Sequence, residues 1–396
     1  MAYYASGQGY APTTSYNTVR KAWDKLLHEQ TQSQLFFRGM IGRDKGDEGS
    51  LKNQMSNYPI VEKTDLRKEA GDRITMSLIR QLTSSSFWNA GKTGNNTLID
   101  LEDTLSFYNT QVYVGHWRQG FAVFGKQTLQ RTPFDVINEG KDLLSKAIQK
   151  QLDEGVFFAF YSGYSPNVVR EIGTSTLLEK LPLNNIYGKN QSSLANLTSA
   201  DTVDTDLLEI IGVVAVENNI NPCTYEGKDE LLFVIHPRGT KTLRQDSLYQ
   251  DAQINAVGGK GNPMFNRVAI GKWNNIYIAE HNSIDTIKDY GTLSVSSDAI
   301  TIGTQTAGIT VTDGRMNILI GANAIARAVA LPEYMVRRKE DDYENLFGFA
   351  GGLIYGDRRA DYQIDDGTGA TYKNQSSIVV YSYSPAVASN FTQIWS

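Results

Sequence analysis

The residues that come nearest to chemistry are Gly91-Lys92-Thr93, which close the segment SFWNAGKT in the manner of a phosphate-binding loop. Such a loop works because an opening glycine and a following helix N-terminus aim backbone amides at phosphate. Here Ser86 stands at the first glycine position, and Gly94-Asn95-Asn96 follows where the helix should begin, so the mechanism is missing. Gly258-Gly259-Lys260-Gly261 is a glycine loop without a preceding βαβ context. His28, His116, His236 and His281 are scattered, and none has a histidine or cysteine two to four residues on, as a zinc site would. Glu340-Asp341-Asp342 and Asp365-Asp366 are adjacent carboxylates, which point different ways on any regular element and read as solvated loops rather than an acid/base pair. No GxSxG nucleophile motif is present. The single cysteine, Cys223, excludes a disulfide framework, fits a reducing compartment and reads as a small buried residue. No catalytic, metal or cofactor site is expected, and the chain is not read as an enzyme.

The elements around these residues carry more information. Composition (396 residues, 40% hydrophobic, 20% charged) allows a sizeable core in two or three domains, and a net charge of −5 does not suggest a nucleic-acid-binding surface. The organising stretch is 132–163, TPFDVINEGKDLLSKAIQKQLDEGVFFAFYSG, read as one long helix. Thr132 and Pro133 suit its cap and first turn, with Asp135 near the positive end of the dipole. Ile137, Leu144, Ile148, Leu152 and Val156 recur at helical spacing as its core face, flanked by Leu143, Ala147 and Phe160. Gly163 followed by Pro166 marks its end. At ~1.5 Å per residue it spans roughly 45 Å, long enough to tie distant parts of one subunit together.

Before the spine, residues 1–17 are too polar to fold alone, and Val19, Trp23, Leu26, Leu27 and Leu35 form the apolar side of an amphipathic helix. The glycine-bearing segment 39–58 reads as a connector able to carry that stripe onto a neighbouring chain. Residues 59–61 look like a short strand. Residues 73–82 alternate, with Ile74, Met76, Leu78 and Leu82 on one face, and pair through a polar tip at 83–96 with a return over 98–115. That hairpin has few apolar residues and needs another surface to lie on. After the spine come a polar loop (171–206), a helix (204–219), a buried strand (231–236), a helix (237–253), strands at 268–271 and 276–279, and a β-hairpin (292–313) with turn residues Gly303 and Gly308. The alanine-rich 317–330 reads as a helix or strand-to-helix unit, 341–360 as glycine-rich, and 377–383 as a terminal strand. The longest apolar runs fall far short of the ~20 residues of a membrane span, and the polar opening MAYYASGQGYAPTTSYN has no signal-peptide core.

Four collinear stretches resemble the major capsid proteins of tailed bacteriophages, specifically the N4-like podovirus family with the Hong Kong 97-type capsid fold. They are LRKEAGD (66–72), the spine region 130–163, GNPMF (261–265) followed by 271–279 and His281, and LIGANA (319–324). Asn323 stands where that family has Gln, and Asn274-Asn275 where it has glycine. The resemblance implies an α+β subunit with an N-terminal arm (1–58), a strand leading into the peripheral domain (59–72), an extended loop hairpin (73–115), a peripheral domain with the spine helix (116–170), an axial domain with a β-hairpin insertion (171–335) and a C-terminal return (336–396). It implies self-assembly into hexamers and pentamers of an icosahedral shell around double-stranded DNA held without sequence specificity. Expected subunit-interface residues are Trp23, Leu26, Leu27, Leu35, Ile74, Met76, Leu78 and Lys92. A portal and a decoration protein are further partners, no membrane is involved, and assembly is expected in the host bacterial cytoplasm, giving a virion protein. Because the chain opens directly on the arm, scaffolding is expected from a separate protein. An encapsulin-like compartment, or a β-rich tail or adhesion protein, remain the alternatives.

Overall fold

The spine is a helix of 27 residues, α2 (Val136–Ser162), preceded by α1 (Lys126–Arg131) and followed by α3 (Pro166–Ile172). The computed structural model describes residues 27, 31, 35–43, 57–67, 70–79, 107–124, 126–131, 136–172, 182–189, 191–225, 228–256, 269–287, 289–296, 299–303, 313–337, 346–365, 370–374 and 376–386. The expected cap residues Thr132, Pro133 and Asp135 lie outside them. Gly163 ends α2 at φ +91°, a conformation that strains any L side chain, and its N–H donates back to Ala159 O at 2.9 Å. Pro166, expected only to follow the stop, instead opens α3, where its missing N–H costs nothing.

Strands are numbered along the chain. A five-stranded sheet runs β1 (Ile41–Arg43), β2 (Ile60–Lys63), β14 (Ile325–Arg337), β15 (Leu346–Arg359), β5 (Gly115–Phe124). A seven-stranded sheet runs β6 (Asn185–Tyr187), β18 (Ser377–Tyr383), β13 (Gly314–Ile320), β8 (Lys228–Ile235), β10 (Ile276–Glu280), β9 (Ala269–Trp273), with β7 (Cys223–Tyr225) also on β8. A four-stranded sheet joins β17 (Ala370–Lys373), β16 (Tyr362–Asp365), β4 (Phe107–Tyr113) and β3 (Arg73–Ile79), while β11 (Asp289–Ser296) and β12 (Ala299–Gly303) pair alone. Chain β4–Val114–β5 runs antiparallel to β15–β16 through two of these sheets, so one ribbon links them. Where the ribbon crosses, a Cβ on Gly356 would sit 1.8 Å from Tyr113 O, so only glycine fits.

The spine serves both large sheets. Its first half sets Leu144, Ile148 and Leu152 against Phe349, Leu353 and Tyr355 of β15. Its second half sets Val156, Phe157, Phe160 and Tyr161 against Leu232, Val234, Ile318 and Val379 of the seven-stranded sheet. The opposite face of that sheet (Leu231, Phe233, Ile235, Leu319, Val380) is covered by α4 (Thr205–Glu217), α5 (Pro237–Gln245) and α6 (Ser247–Ala256). With both faces buried, its central strands read as near-continuous apolar runs.

That explains the main misreading. Residues 317–330, expected as a helix or strand-to-helix unit, are the end of β13, a turn and the start of β14, in which Ala324, Ala326 and Ala328 pack at close range. The boundary drawn at 335/336 falls inside β14, and the two large sheets exchange chain: β14 belongs to the five-stranded sheet, while the later β18 returns to the seven-stranded one. The helix expected over 237–253 is two, α5 and α6. Asp246 breaks it by accepting Leu248 N at 3.1 Å and, from α4, Thr205 N at 2.8 Å and Oγ1 at 2.5 Å. Gly303 ends a strand rather than forming a turn, and β5 and α3 had no counterpart in the sequence reading.

Candidate functional site

Where the spine meets both sheets, the chain buries charge. Arg327 of β14 lies directly opposite Asp357 of β15 in register, and its Nε and Nη2 donate to the two carboxylate oxygens at 2.6 and 3.0 Å. Burial works against the Arg327 charge, but the Asp357 carboxylate outweighs it and raises the guanidinium pKa. Two residues on, Arg359 is 1% exposed. It donates to both oxygens of Asp361 at 2.6–3.1 Å and, through Nη1, to Phe160 O at 2.7 Å, at the negative end of the spine helix. Asp361 also accepts Asn374 Nδ2 at 2.9 Å, and Asn374 Oδ1 accepts Ser376 N and Ser377 N at the start of β18. Tyr161 Oη donates to Met316 O at 2.6 Å. Spine, five-stranded sheet and seven-stranded sheet are thereby joined by satisfied hydrogen bonds of fixed geometry. This junction is a framework: its carboxylates are neutralised by arginines and none is aimed into an open cleft.

The arm meets the spine at Asp153. Its Oδ2 accepts Phe36 N at 3.2 Å, and Phe37 N also donates to it. Burial pushes this carboxyl up to about 6, against the pull of those amides and of Arg327. An aspartate whose pKa is about 6 folded and 3.8 unfolded supplies stability that is present below pH ~4 and lost as pH rises through 6, by up to ~3 kcal/mol. Burial holds His236 and His281 at about 4, with Arg315 and Arg238 adding to the effect at His236, so these two act in the opposite sense. Asp153→Asn keeps an acceptor but no charge. The urea midpoint of this variant minus that of the wild type should therefore grow between pH 4 and 6, and a pH-independent difference would contradict the assignment.

Four of the expected interface residues pack within the subunit. Leu27 and Leu35 are buried with Leu144, Ile148 and Leu152 of their own chain, and Thr31 Oγ1 lies 3.3 Å from Ser145 Oγ. The stripe expected to reach a neighbour has a covering surface in its own subunit: Leu27, Thr31 and Leu35 at i, i+4, i+8 match the ladder Leu144, Ile148, Leu152 on the spine. Ile74 and Met76 are likewise buried in cis, against Val112, Ala326 and Ala328. Trp23, Leu26 and Lys92 and the side chains of Leu78 and Ile137 lie outside the description, as do the 83–96 tip and the phosphate-loop near-match. Leu144, Ile148, Leu152 and Val156 all sit in the core, whereas the flanking Leu143 is exposed. Cys223 is buried and its thiol pushed up to about 11 by burial. Among the described residues no group of three or more His, Cys, Asp or Glu could hold a metal ion, and no helix is long and apolar enough to cross a membrane. Sequence reading missed the Arg327–Asp357 and Arg359–Asp361 pairs; the only available signal was the DRRAD run (357–361) at the end of an apolar stretch.

The long spine is shared by two sheets, and a hairpin leads out of a third. The family model described as phage capsid protein matches residues 12–386, and the chain belongs to that family. No curated protein matches it. Among solved structures it is similar to the capsid of Ralstonia phage GP4 (20% identity, 90% of this chain and 93% of that one, TM-score 0.64). It is also similar to the capsid of cyanophage Pam1 (18%, 88% and 92%, 0.63) and the head of Helicobacter pylori bacteriophage KHP40 (13%, 89% and 91%, 0.60). The fold is α+β of the Hong Kong 97 capsid type, and the chain is a capsid shell protein.

Proposed function

We propose that this chain is the major capsid protein of a tailed phage of the N4-like podovirus kind, whose hexamers and pentamers close an icosahedral head around double-stranded DNA. The carrying observation is the match of the capsid family over residues 12–386, nearly the whole chain. The five-stranded sheet with the first half of the spine then serves as peripheral domain, the seven-stranded sheet with α4–α6 as axial domain, and the β3–β4 hairpin as the root of the extended loop. A net charge of −5 suits a shell that must enclose DNA without gripping it sequence by sequence. Separate scaffolding, portal and decoration proteins complete the particle, which assembles in the host bacterial cytoplasm and persists in the virion. Electron microscopy of the full-length chain expressed with its scaffolding protein should show closed icosahedral shells. Open fibres or unassembled subunits would overturn the reading, and shells filled with an enzyme instead of nucleic acid would replace it with a cargo compartment.

A further inference from the structure

Two helices on the same face of the seven-stranded sheet carry opposite charge. Helix α4 (TDLLEIIGVVAVE) has three acidic residues and no Lys or Arg, whereas α5 (PRGTKTLRQ) has three basic residues and no Asp or Glu. Both turn their apolar sides inward, through Leu207, Leu208 and Ile211 on α4 and Leu243 on α5. Outward, α4 exposes Glu209, Val213, Val216 and Glu217, with Val213 58% and Val216 77% exposed. These residues border an open groove of about 750 Å³, whose far wall is Lys272 and Trp273 of β9 and Asn274 in the β9–β10 turn. Helix α5 exposes Lys241 and Arg244, and the adjoining first turn of α6 exposes Leu248 at 59%. Among the described residues, Glu209, Glu217, Lys241 and Arg244 make no ion pair.

A lone exposed valine or leucine needs no explanation. Here an apolar centre flanked by Glu209 and Glu217, beside a Lys272 that Glu230 already holds, and an apolar centre flanked by Lys241 and Arg244, with Asp251 one turn further along α6, occur on one chain. Neither patch can meet a copy of itself without juxtaposing like charges, which costs several kcal/mol. Each can meet the other on a second copy, reciprocally when two copies face each other or in one direction when they stand side by side.

We propose that the α4 groove of one copy receives the α5–α6 ridge of the next, with Leu248 seated on Val213 and Val216 and with Lys241 and Arg244 facing Glu209 and Glu217. The occupant is a second copy of this chain, and the contact joins neighbouring subunits; the inference rests on the shell reading above.

The test uses full-length chains. Val216→Cys and Leu248→Cys are made separately, both at exposed positions, while the native Cys223 is buried. Mixed under conditions in which the wild type assembles and treated with a short bis-maleimide, the two variants should give a cross-linked dimer that neither gives alone. Charge reversal provides a second readout. Glu209→Lys with Glu217→Lys should lower particle yield roughly tenfold, Lys241→Glu with Arg244→Glu should do the same, and all four together should restore it to within about twofold. Assembly of wild type and both reversed variants to equal yield, no dimer in the mixture, or equal dimer from one variant alone would overturn the contact while leaving the shell reading intact. A wild-type chain that forms neither rings nor shells would refute the shell reading and the contact together.

Discussion

Asp357→Ala should remove most of the soluble full-length protein, and what survives should unfold at a much lower urea concentration. The variant leaves the Arg327 guanidinium in the position it now occupies, 4% exposed and without its carboxylate. Removing one member of a buried pair costs ~3–5 kcal/mol because the other charge stays desolvated. Native domains are stable by only ~5–15 kcal/mol, so that loss is a third or more of the total. The neighbourhood offers only weaker substitutes: the Tyr355 ring sits 5.9 Å from the guanidinium carbon, Glu62 lies opposite Arg327 on β2 as a smaller influence than Asp357, and Asp153 supplies a charge that its own burial already weakens. The double variant Arg327→Met, Asp357→Leu removes both charges and fills the space, and should recover most of the lost stability. If Asp357→Ala unfolds within ~1 kcal/mol of wild type, the pair is not what joins β14 to β15.

Much of this architecture was legible because burial leaves a periodic trace. The ladder Leu144, Ile148, Leu152, Val156 specifies the spine, Gly163 its stop, and the run SIVVYSY the terminal strand at Ser377–Tyr383. What failed did so where two elements look alike in one dimension. β13 and the start of β14 are buried on both faces, and the turn and β14 are rich in alanine, so they lack the alternation that separates strand from helix. β5 (GHWRQGFAVF) is an edge strand with its own irregular polarity, and only its pairing with β15 over ten residues makes it a strand. The polar junction was invisible for a different reason. Arg and Asp are mostly surface residues, and DRRAD reads as solvent-exposed until Arg327, thirty residues earlier in the chain, is placed opposite Asp357. The arm was open to two readings because a stripe of leucines states that something covers it, not which chain does; in the subunit the spine covers it.

Deleting residues 1–38 should therefore give insoluble protein, not the soluble, assembly-deficient core that an arm docked on a neighbour would leave. The deletion takes Leu27, Leu35 and Phe37 out of the core, where they are 2%, 7% and 1% exposed. Each such side chain contributes ~1.5–3 kcal/mol by burial, so together they approach the whole stability of a domain before ordering costs are subtracted. The same cut uncovers Ile148, now fully buried, and strips the Phe36 and Phe37 amides from Asp153. Point variants separate this loss from any effect on assembly: Leu27→Ala and Leu35→Ala should each lower stability by ~2–5 kcal/mol in the unassembled subunit, where no neighbour is present to be lost. A truncated chain that stays soluble and unfolds like the wild type, or leucine variants that are silent in the free subunit and weaken only the particle, would return the stripe to an adjacent subunit.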